Sequence, residues 1–304
     1  MRILFMGTAE LACPSLEAVS RLHQHEVVGA ITQPDRPKGR DPRPAPPPVK
    51  IVAQRLNIPI HQPEKVREPV ALDAIRAAQP DLIVIVAYGQ ILPKAILDIP
   101  PHGCVNVHTS LLPRWRGAAP IQYAILHGDR ETGVSTMFIN ERMDAGDVIL
   151  QRSEPIRPDD TAATLQDRLG ALGGALLVET VALITGGQPP RRPQDESQAT
   201  YAKKLSKDDG RIDWNKSAVE IERQVRAFNP RPSAFTILDD TMLKLWKVET
   251  LDRDDLAPGV LLDGCIGTGQ GALRLVELQP AGGKRMNFEA FRRGRPLEGR
   301  VRLG

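Results

Sequence analysis

The run Asp81–Ala87 (DLIVIVA), apolar after its first residue, constrains the fold more than any other feature of this sequence. A strand that is apolar on both faces is typical of a parallel sheet covered by helices on both sides. Other strands are predicted before and after it, with helical segments between them: Arg2–Met6, His25–Thr32, Gly103–His108 and Thr132–Ile139. This alternation predicts an open, mostly parallel α/β sheet.

The pattern changes after Asp160. Leucines recur there at the spacing of one helix face and predict a long helix: Leu165, Leu169, Leu172, Leu176 and Leu183. A polar, proline-containing stretch follows, and then short strand-like runs separated by Gly, Asp and Pro, which indicate a small β-barrel. The sequence therefore predicts a first domain over residues 1–185, a linker over 186–204 and a second domain over 205–304.

Charge and cysteine content narrow the classes of function. The 40 Lys and Arg residues are nearly balanced by 37 Asp and Glu, so we expect at most a local basic patch for nucleic acid. The cysteines are too few and too scattered for a disulfide framework or a zinc site, and they fit a reducing compartment. No secretory signal is visible at the N-terminus, and we expect no apolar run long enough to span a bilayer. We expect a cytoplasmic protein that does not contact a membrane.

Two polar side chains lie within the predicted strand Gly103–His108. Because side chains alternate along a strand, Asn106 and His108 project from the same face, near the strand end where α/β sheets bind ligands. Asp144 lies in a glycine-containing loop and can approach His108 from another segment. Taken singly, these are residues that also serve structural roles, in a turn or at a surface. Together they suit acyl transfer: an amide binds the oxyanion, a histidine donates a proton, and an aspartate orients the imidazole and favours its charged form.

These residues and their neighbours resemble a known family. Asn106–His108, Ser110–Pro113, Arg116-Gly117 and Asp144-x-Gly146 are similar to the signature of the 10-formyltetrahydrofolate-dependent formyltransferases. Within that family the chain resembles the methionyl-tRNA formyltransferases, through motifs spread over its whole length: Phe5–Thr8, Gln33–Pro37, Ala119–Gln122, Lys207–Trp214, Ile221–Pro232 and Leu278–Met286.

The resemblance implies a Rossmann-like catalytic domain followed by an oligonucleotide-binding-type (OB-like) barrel, with Asn106, His108 and Asp144 as catalytic residues. It implies a reduced folate, 10-formyltetrahydrofolate, as formyl donor, initiator methionyl-tRNA as acceptor, and no metal. The residues that it assigns to the folate form two segments: Ser110, Leu111, Leu112 and Pro113, and a loop that holds the pterin, Tyr88, Gly89, Gln90, Ile91 and Leu92.

Contacts with tRNA are expected in two places. The proline-rich loop 34–48 corresponds to a family insertion that contacts the acceptor stem, and Lys38, Arg40 and Arg43 supply its positive charge. The basic C-terminal stretch supplies the second set, Lys284, Arg285, Arg292 and Arg293. The loop carries Asp41 and Pro42 where the family commonly has glycine and lysine, so we expect fewer phosphate contacts there. We expect a monomer.

Other functions fit parts of the pattern. The strand–Gly7–helix start suits a nucleotide-binding dehydrogenase, but the Gly-x-Gly-x-x-Gly fingerprint is missing. A formyltransferase of the same family that acts on a small amine, such as an amino sugar nucleotide, shares the catalytic residues. An assay that compares formylation of tRNA with formylation of a small amine distinguishes these two functions. The glycinamide ribonucleotide enzyme resembles only the first domain. A non-enzymatic RNA-binding module is favoured by the basic C-terminal stretch alone.

Overall fold

The computed structural model describes residues 1–37, 43–295 and 299–304. The predicted tRNA-contacting residues Lys38 and Arg40 lie outside these ranges. The chain forms two compact units, each built from more than one stretch of sequence. The first unit contains Met1–Pro120, Glu131–Pro155 and Gln166–Ala202; the second contains Ile121–Arg130, Ile156–Leu165 and Lys203–Gly304.

The first unit is built around a seven-stranded sheet. The strands of this unit are β1 (Arg2–Gly7), β2 (Glu26–Ile31), β3 (Arg36–Pro37), β4 (Pro44–Ala45), β5 (Ile60–His61), β6 (Leu82–Val86), β7 (Cys104–His108), β8 (Arg116–Gly117), β9 (Glu131–Phe138), β10 (Val148–Pro155) and β11 (Tyr201–Ala202). The sheet has the order β10-β9-β7-β6-β1-β2-β5. The five neighbouring strands β7, β6, β1, β2 and β5 pair in parallel. Strand β9 is antiparallel to β7, and β10 is antiparallel to β9. The predicted open, mostly parallel sheet is confirmed.

The strand order places a ligand crevice at a defined point. From β1 the chain runs to β2 and β5 on one side, and then returns to β6 on the other side. Ligands of open α/β sheets bind outside the carboxyl ends of the strands where the order reverses in this way. Thr8 follows β1 and Ala87 follows β6, so both residues border this crevice.

Local sequence signals explain where several helices begin. The helices are α1 (Cys13–Ser20), α2 (Pro48–Arg55), α3 (Pro69–Ala77), α4 (Lys94–Leu97), α5 (Pro120–Leu126), α6 (Ala162–Thr185), α7 (Ala218–Ala227) and α8 (Phe288–Gly294). Pro48 and Pro69 open α2 and α3, because the first helical residue needs no amide donor. Ser217 and Glu220 form a capping box at the start of α7.

Helix α6 is the long helix that the leucine spacing predicts. Leu165, Leu169 and Leu176 are buried, in line with that pattern. The expectation that no apolar run is long enough to span a bilayer is wrong for this 24-residue helix, which could cross a membrane by length and composition alone. Half of its most apolar window is buried inside the protein, and the core helix of a soluble protein passes the same test.

Three segments of the first unit differ from their predicted form. Within the predicted loop 34–48, β3 and β4 form a short antiparallel pair. Strand β10 was not predicted, because residues 151–154 carry the polar sequence Gln-Arg-Ser-Glu at the edge of the sheet. Residues 186–202, predicted as linker, are hydrogen-bonded to the first unit; Arg192 pairs with Val148, and β11 pairs with β8.

The second unit contains an antiparallel sheet that closes on itself. Its strands are β12 (Ala234–Leu238), β13 (Thr241–Leu251), β14 (Val260–Leu262), β15 (Cys265–Gly267), β16 (Ala272–Pro280), β17 (Met286–Asn287) and β18 (Val301–Arg302). The order is β12-β13-β16-β15-β14-β18, with β17 beside β16. Two backbone hydrogen bonds between Ile237 and Gly304 then join the two edges. Leu245, Ile266 and Leu273 are fully buried inside this sheet, together with Ile221 of α7.

Candidate active site

The structure brings Asn106, His108 and Asp144 together. Asn106 and His108 lie two residues apart on β7, and Asp144 lies in the loop between β9 and β10. Asn106 Nδ2 is 3.4 Å from Asp144 Oδ1. His108 Nδ1 is 3.8 Å from Asp144 Oδ2. Both side chains of β7 therefore face one carboxylate, as strand alternation predicts.

A contact with the main chain sets the orientation of the His108 ring. Nε2 lies 2.9 Å from the carbonyl oxygen of Trp115, in a buried position. Because a carbonyl oxygen only accepts hydrogen bonds, Nε2 carries a hydrogen and donates it. Nδ1 is then the ring nitrogen that faces Asp144.

The backbone around Asp144 is unusual. Asp144 has a positive φ of 48°, a conformation that side-chain-bearing residues rarely adopt. Its Oδ2 accepts a hydrogen bond of 2.8 Å from the amide of Gly117. Two residues later, a Cβ on Gly146 would lie 1.8 Å from the carbonyl oxygen of Phe138, so only glycine fits. The loop thus holds a strained aspartate in a defined place.

The predicted folate segment Ser110–Pro113 is a tightly bonded turn directly after β7. Ser110 is fully buried, and its hydroxyl donates to the carbonyl of Arg114 at 2.6 Å. The Ser135 hydroxyl donates to the Ser110 carbonyl and accepts from the Leu112 amide. Leu112 packs into a small apolar cluster, whereas Leu111 is half-buried. The polar groups of Ser110 are therefore used to shape the turn.

The second predicted folate segment, Tyr88–Leu92, follows β6 at the crevice. The hydroxyl of Thr8 donates to the Tyr88 carbonyl at 2.8 Å and connects the ends of β1 and β6. Tyr88 is buried in the core, and burial raises the pKa of its hydroxyl to about 12. The Gln90 side chain bonds to backbone groups of Glu64 and Val66, while Ile91 is 90% exposed.

The segment 194–202 contributes side chains that contact the site and that the sequence analysis did not predict. Gln194 Nε2 donates to the carbonyls of Asp144 and Gly146, each at 2.8 Å. Arg116 is 1% exposed and forms two hydrogen bonds with the Glu196 carboxylate, at 3.0 and 3.1 Å. These hydrogen bonds hold the pKa of Glu196 below its ordinary value. The segment is polar and aperiodic, which is why it resembled a linker. Arg116 in the family motif was the available signal, because a guanidinium that becomes buried requires a carboxylate partner.

Comparison with known proteins assigns the family. The family model described as "Formyl transferase" matches residues 1–181, and that described as "Formyl transferase, C-terminal domain" matches residues 204–296. A methionyl-tRNA formyltransferase of Geobacter sulfurreducens is 46% identical over 309 residues, which cover 100% of this chain and 97% of the relative. The chain belongs to the methionyl-tRNA formyltransferase family.

Solved structures share the fold of this formyltransferase. HypX from Aquifex aeolicus, in complex with tetrahydrofolic acid, has a TM-score of 0.64 at 20% identity, covering 96% of this chain and 47% of HypX. An N-formyltransferase from Helicobacter canadensis, in complex with folinic acid and dTDP-3-aminofucose, has a TM-score of 0.66 at 18% identity, covering 90% of this chain and 99% of that one. At these identities the likeness concerns the fold alone.

The basic residues predicted to contact tRNA differ in their surroundings. Arg43 is exposed beside β4. Arg285 forms an ion pair with Glu277, and its guanidinium lies 5.3 Å from the centre of the Trp246 ring. The remaining residues of the C-terminal set are exposed on α8 or just before it: Lys284, Arg292 and Arg293. Arg292 lies 3.8 Å from Asp263 and from Glu289.

Metal-ligating side chains are dispersed in this formyltransferase. Within residues 1–37, 43–295 and 299–304, His, Cys, Asp and Glu form no group of three or more that could hold a metal ion. The cysteines Cys13, Cys104 and Cys265 are free. Burial raises the pKa of the Cys104 thiol to about 12, with the charge of Asp98 as a second cause.

Proposed function

We propose that this formyltransferase transfers the formyl group of 10-formyltetrahydrofolate to the α-amino group of initiator methionyl-tRNA. The observation that carries the proposal is the convergence of Asn106, His108 and Asp144 in a chain that is 46% identical to a methionyl-tRNA formyltransferase over its whole length. The family supplies the reaction class, and the convergence supplies the groups that perform it.

The chemistry follows from the orientation of the three side chains. The α-amine of an aminoacyl ester has a pKa near ~8 or below, so a neutral fraction exists at physiological pH and attacks the formyl carbon. The Asn106 amide and protonated His108 Nδ1 donate hydrogen bonds to the oxyanion of the tetrahedral intermediate. Asp144 accepts the proton of the attacking amine through a water molecule. His108 then protonates N10 as the C–N10 bond breaks, which releases tetrahydrofolate and formylated methionyl-tRNA.

The folate is proposed to bind at the carboxyl ends of β6 and β7. These strands pair directly, with Ile85 opposite Asn106, so the segments Tyr88–Leu92 and Ser110–Pro113 follow neighbouring strands. The side chains of Gln90 and Ser110 are already hydrogen-bonded within the protein, and that of Tyr88 is packed in an apolar cluster. We therefore assign most contacts of the pterin to backbone groups, for which Gly89 leaves room. The donor is a co-substrate, and no metal takes part in the proposed reaction.

The second unit is proposed to bind the tRNA. A small closed antiparallel sheet is typical of oligonucleotide-binding barrels, and we assign it to that class. Lys284 and Arg293 are available to phosphates, while Arg285 and Arg292 would exchange acidic partners for them. Arg43 is proposed to act with Lys38 and Arg40 on the acceptor stem.

The remaining assignments rest on the family and the sequence. We propose a catalytic domain over residues 1–185 and a tRNA-binding domain over 205–304, in line with family matches to 1–181 and 204–296. Residues 186–204 connect the two, although those up to Ala202 pack with the first unit. We further propose a cytoplasmic monomer that does not contact a membrane.

The test is formation of formylmethionine from 10-formyltetrahydrofolate and charged initiator tRNA. We expect His108→Ala, Asn106→Ala and Asp144→Ala each to lower kcat at least ~100-fold, the scale of a lost proton donor or oxyanion contact. His102→Ala, which removes an exposed histidine just before β7, is the matched control and should retain full turnover. A parallel assay offers dTDP-3-aminofucose as acceptor. Formylation of that amine but not of tRNA would favour the small-amine alternative, and full activity of His108→Ala would exclude the mechanism.

A further inference from the structure

We infer that Gln194 is a positioning residue that holds Asp144 in the conformation required for formyl transfer. The inference rests on the proposed function, because it presumes that Asp144 acts in the reaction. Gln194 lies between the two family matches, which end at residue 181 and begin at residue 204, and it has no place in the motifs described above.

The contact geometry shows what Gln194 restrains. Its amide nitrogen carries two hydrogens and donates one to Asp144 O and the other to Gly146 O, both at 2.8 Å. These carbonyls lie on either side of Ala145, so one side chain spans the turn. Asp144 has a positive φ of 48°, which is unfavourable for an aspartate unless its surroundings hold it. If the turn relaxed, the carboxylate would rotate away from His108.

Gln194 is itself held from the opposite side. Its Oε1 accepts a hydrogen bond of 3.0 Å from Nε of the buried Arg116. The other two guanidinium nitrogens of Arg116 donate hydrogen bonds to the Glu196 carboxylate, so all three nitrogens have acceptors. The next residue, Gly117, donates its amide to Asp144 Oδ2 at 2.8 Å. Thus the main chain of Asp144 is held by Gln194, and its carboxylate is held by the residue beside Arg116.

The same segment also reaches His108. Thr200 Oγ1 accepts a hydrogen bond of 2.9 Å from the Trp115 amide. The Trp115 carbonyl in turn accepts from His108 Nε2 at 2.9 Å. Gln194 and Thr200 of this segment therefore support the two members of the His108–Asp144 pair, and Gln194 is the one of the two with direct contacts to the aspartate turn.

A positioning role and a purely structural role predict different measurements. Displacement of a reacting group by about 1 Å can cost ~100-fold in rate, while substrate affinity depends on other groups. Loss of a positioning residue should therefore lower kcat, while the KM values for both substrates and Tm change little. The loss of kcat should occur only when Asp144 is present. A structural residue would lower Tm and raise both KM values whether or not Asp144 is present.

The experiment uses the full chain with initiator methionyl-tRNA and 10-formyltetrahydrofolate. We expect Gln194→Ala to lower kcat roughly 10- to 100-fold, with both KM values within threefold of wild type. Gln194→Glu keeps the shape and the acceptor for Arg116 but places a carboxylate against two carbonyls, so kcat should fall at least as far. Gln198→Ala, an exposed amide in the same segment that bonds only locally to Asp195, should behave as wild type.

The deciding measurement combines Gln194→Ala with Asp144→Ala under single-turnover conditions with enzyme in excess. We expect Gln194→Ala to slow the Asp144→Ala enzyme by less than twofold, because the side chain to be positioned is gone. An equal loss of rate from Gln194→Ala in the wild-type and Asp144→Ala enzymes would overturn this inference but not the proposed function. Wild-type kcat for both Gln194→Ala and Gln194→Glu would do the same. Wild-type kcat for Asp144→Ala would overturn the assignment of Asp144 in the proposed function.

Discussion

A single backbone carbonyl determines how His108 can act in this formyltransferase. The Trp115 carbonyl accepts a hydrogen bond from Nε2, so the ring presents Nδ1 to Asp144. The residue type alone predicts a side chain that can donate or accept a proton through either ring nitrogen. Which nitrogen carries the exchangeable proton depends on a contact that forms only after the chain has folded.

Tyr88 gives a prediction at the same scale. Its hydroxyl is buried and has no hydrogen-bond partner among the described residues. Because an unpaired buried polar group costs about 1–3 kcal/mol, we expect Tyr88→Phe to leave the free energy of unfolding unchanged or to raise it. Urea unfolding measures this, and Tyr88→Ala, which removes the ring from the core, should lose roughly 3–5 kcal/mol. The KM for 10-formyltetrahydrofolate should not change in Tyr88→Phe, since backbone groups are assigned to the pterin.

The pH dependence of stability tests the environment of Tyr88 independently. Burial raises the pKa of its hydroxyl from 10.0 to about 12, so the folded state holds the proton more tightly than the unfolded state. The contribution of this group to stability is therefore complete below pH 10 and is lost as the pH rises through 12. This loss should be absent from Tyr88→Phe. A decrease in stability or a higher folate KM for Tyr88→Phe at neutral pH would show that the hydroxyl has a partner.

At the scale of elements, glycines in α6 allow close packing within the first unit. A Cβ on Gly174 would lie 2.9 Å from the Pro14 carbonyl oxygen, and one on Gly173 would lie 3.0 Å from Val107. Both distances are shorter than ordinary van der Waals contact. Since Val107 precedes His108 on β7, this packing supports the strand that carries two of the proposed catalytic residues.

Two glycines of α6 form a matched pair for testing this packing. Alanine favours a helix interior over glycine by about 1 kcal/mol, and this gain applies equally at Gly170 and Gly174. At Gly170 the nearest atoms to a new Cβ are 3.5 Å away, so we expect Gly170→Ala to raise the free energy of unfolding. At Gly174 the backbone of Pro14 blocks the new methyl group, so we expect Gly174→Ala to lower it.

Denaturant unfolding of both variants measures this difference. Equal stabilisation by Gly170→Ala and Gly174→Ala would contradict the close approach of α6 to Pro14. Because the two substitutions are chemically identical and lie four residues apart on one helix, helix propensity cancels from the comparison.

At the scale of the whole molecule, the formal net charge of +3 conceals local differences. In the C-terminal set of predicted tRNA contacts, Arg285 and Arg292 already have acidic neighbours. Arginines that must first leave a carboxylate contribute less to phosphate binding than their charge suggests. Lys284 and Arg293 are therefore the residues of this set from which we expect the larger effect.

The double variant Lys284→Ala, Arg293→Ala should raise the KM for tRNA and flatten its dependence on salt. Each lost phosphate contact reduces the slope of log affinity against log salt by about 0.7–0.9. The KM for 10-formyltetrahydrofolate should stay unchanged. Arg21→Ala removes an exposed arginine from the first unit and serves as the control. A salt slope equal to that of the wild type would exclude Lys284 and Arg293 from the phosphate contacts.

The sequence by itself determined the parts of this protein that depend on local pattern. The apolar run at Asp81–Ala87 predicted a buried parallel strand, and the leucines from Leu165 predicted α6, because burial imposes a period on neighbouring residues. Strand alternation placed Asn106 and His108 on one face. The motifs around them were sufficient for the family, since those residue types at those spacings are required by its chemistry.

The tertiary structure decided what depends on residues far apart in the chain. Strand β10 forms because β9 provides its hydrogen-bond partners, although its own residues are largely polar. Gln194 reaches a turn 48 residues away, and Glu196 neutralises an arginine 80 residues away. Gln194, Glu196 and Thr200 follow no period, because their partners are individual groups of the site and not a continuous apolar face. Such contacts leave no local pattern, so only the folded chain revealed the segment that supports His108 and Asp144.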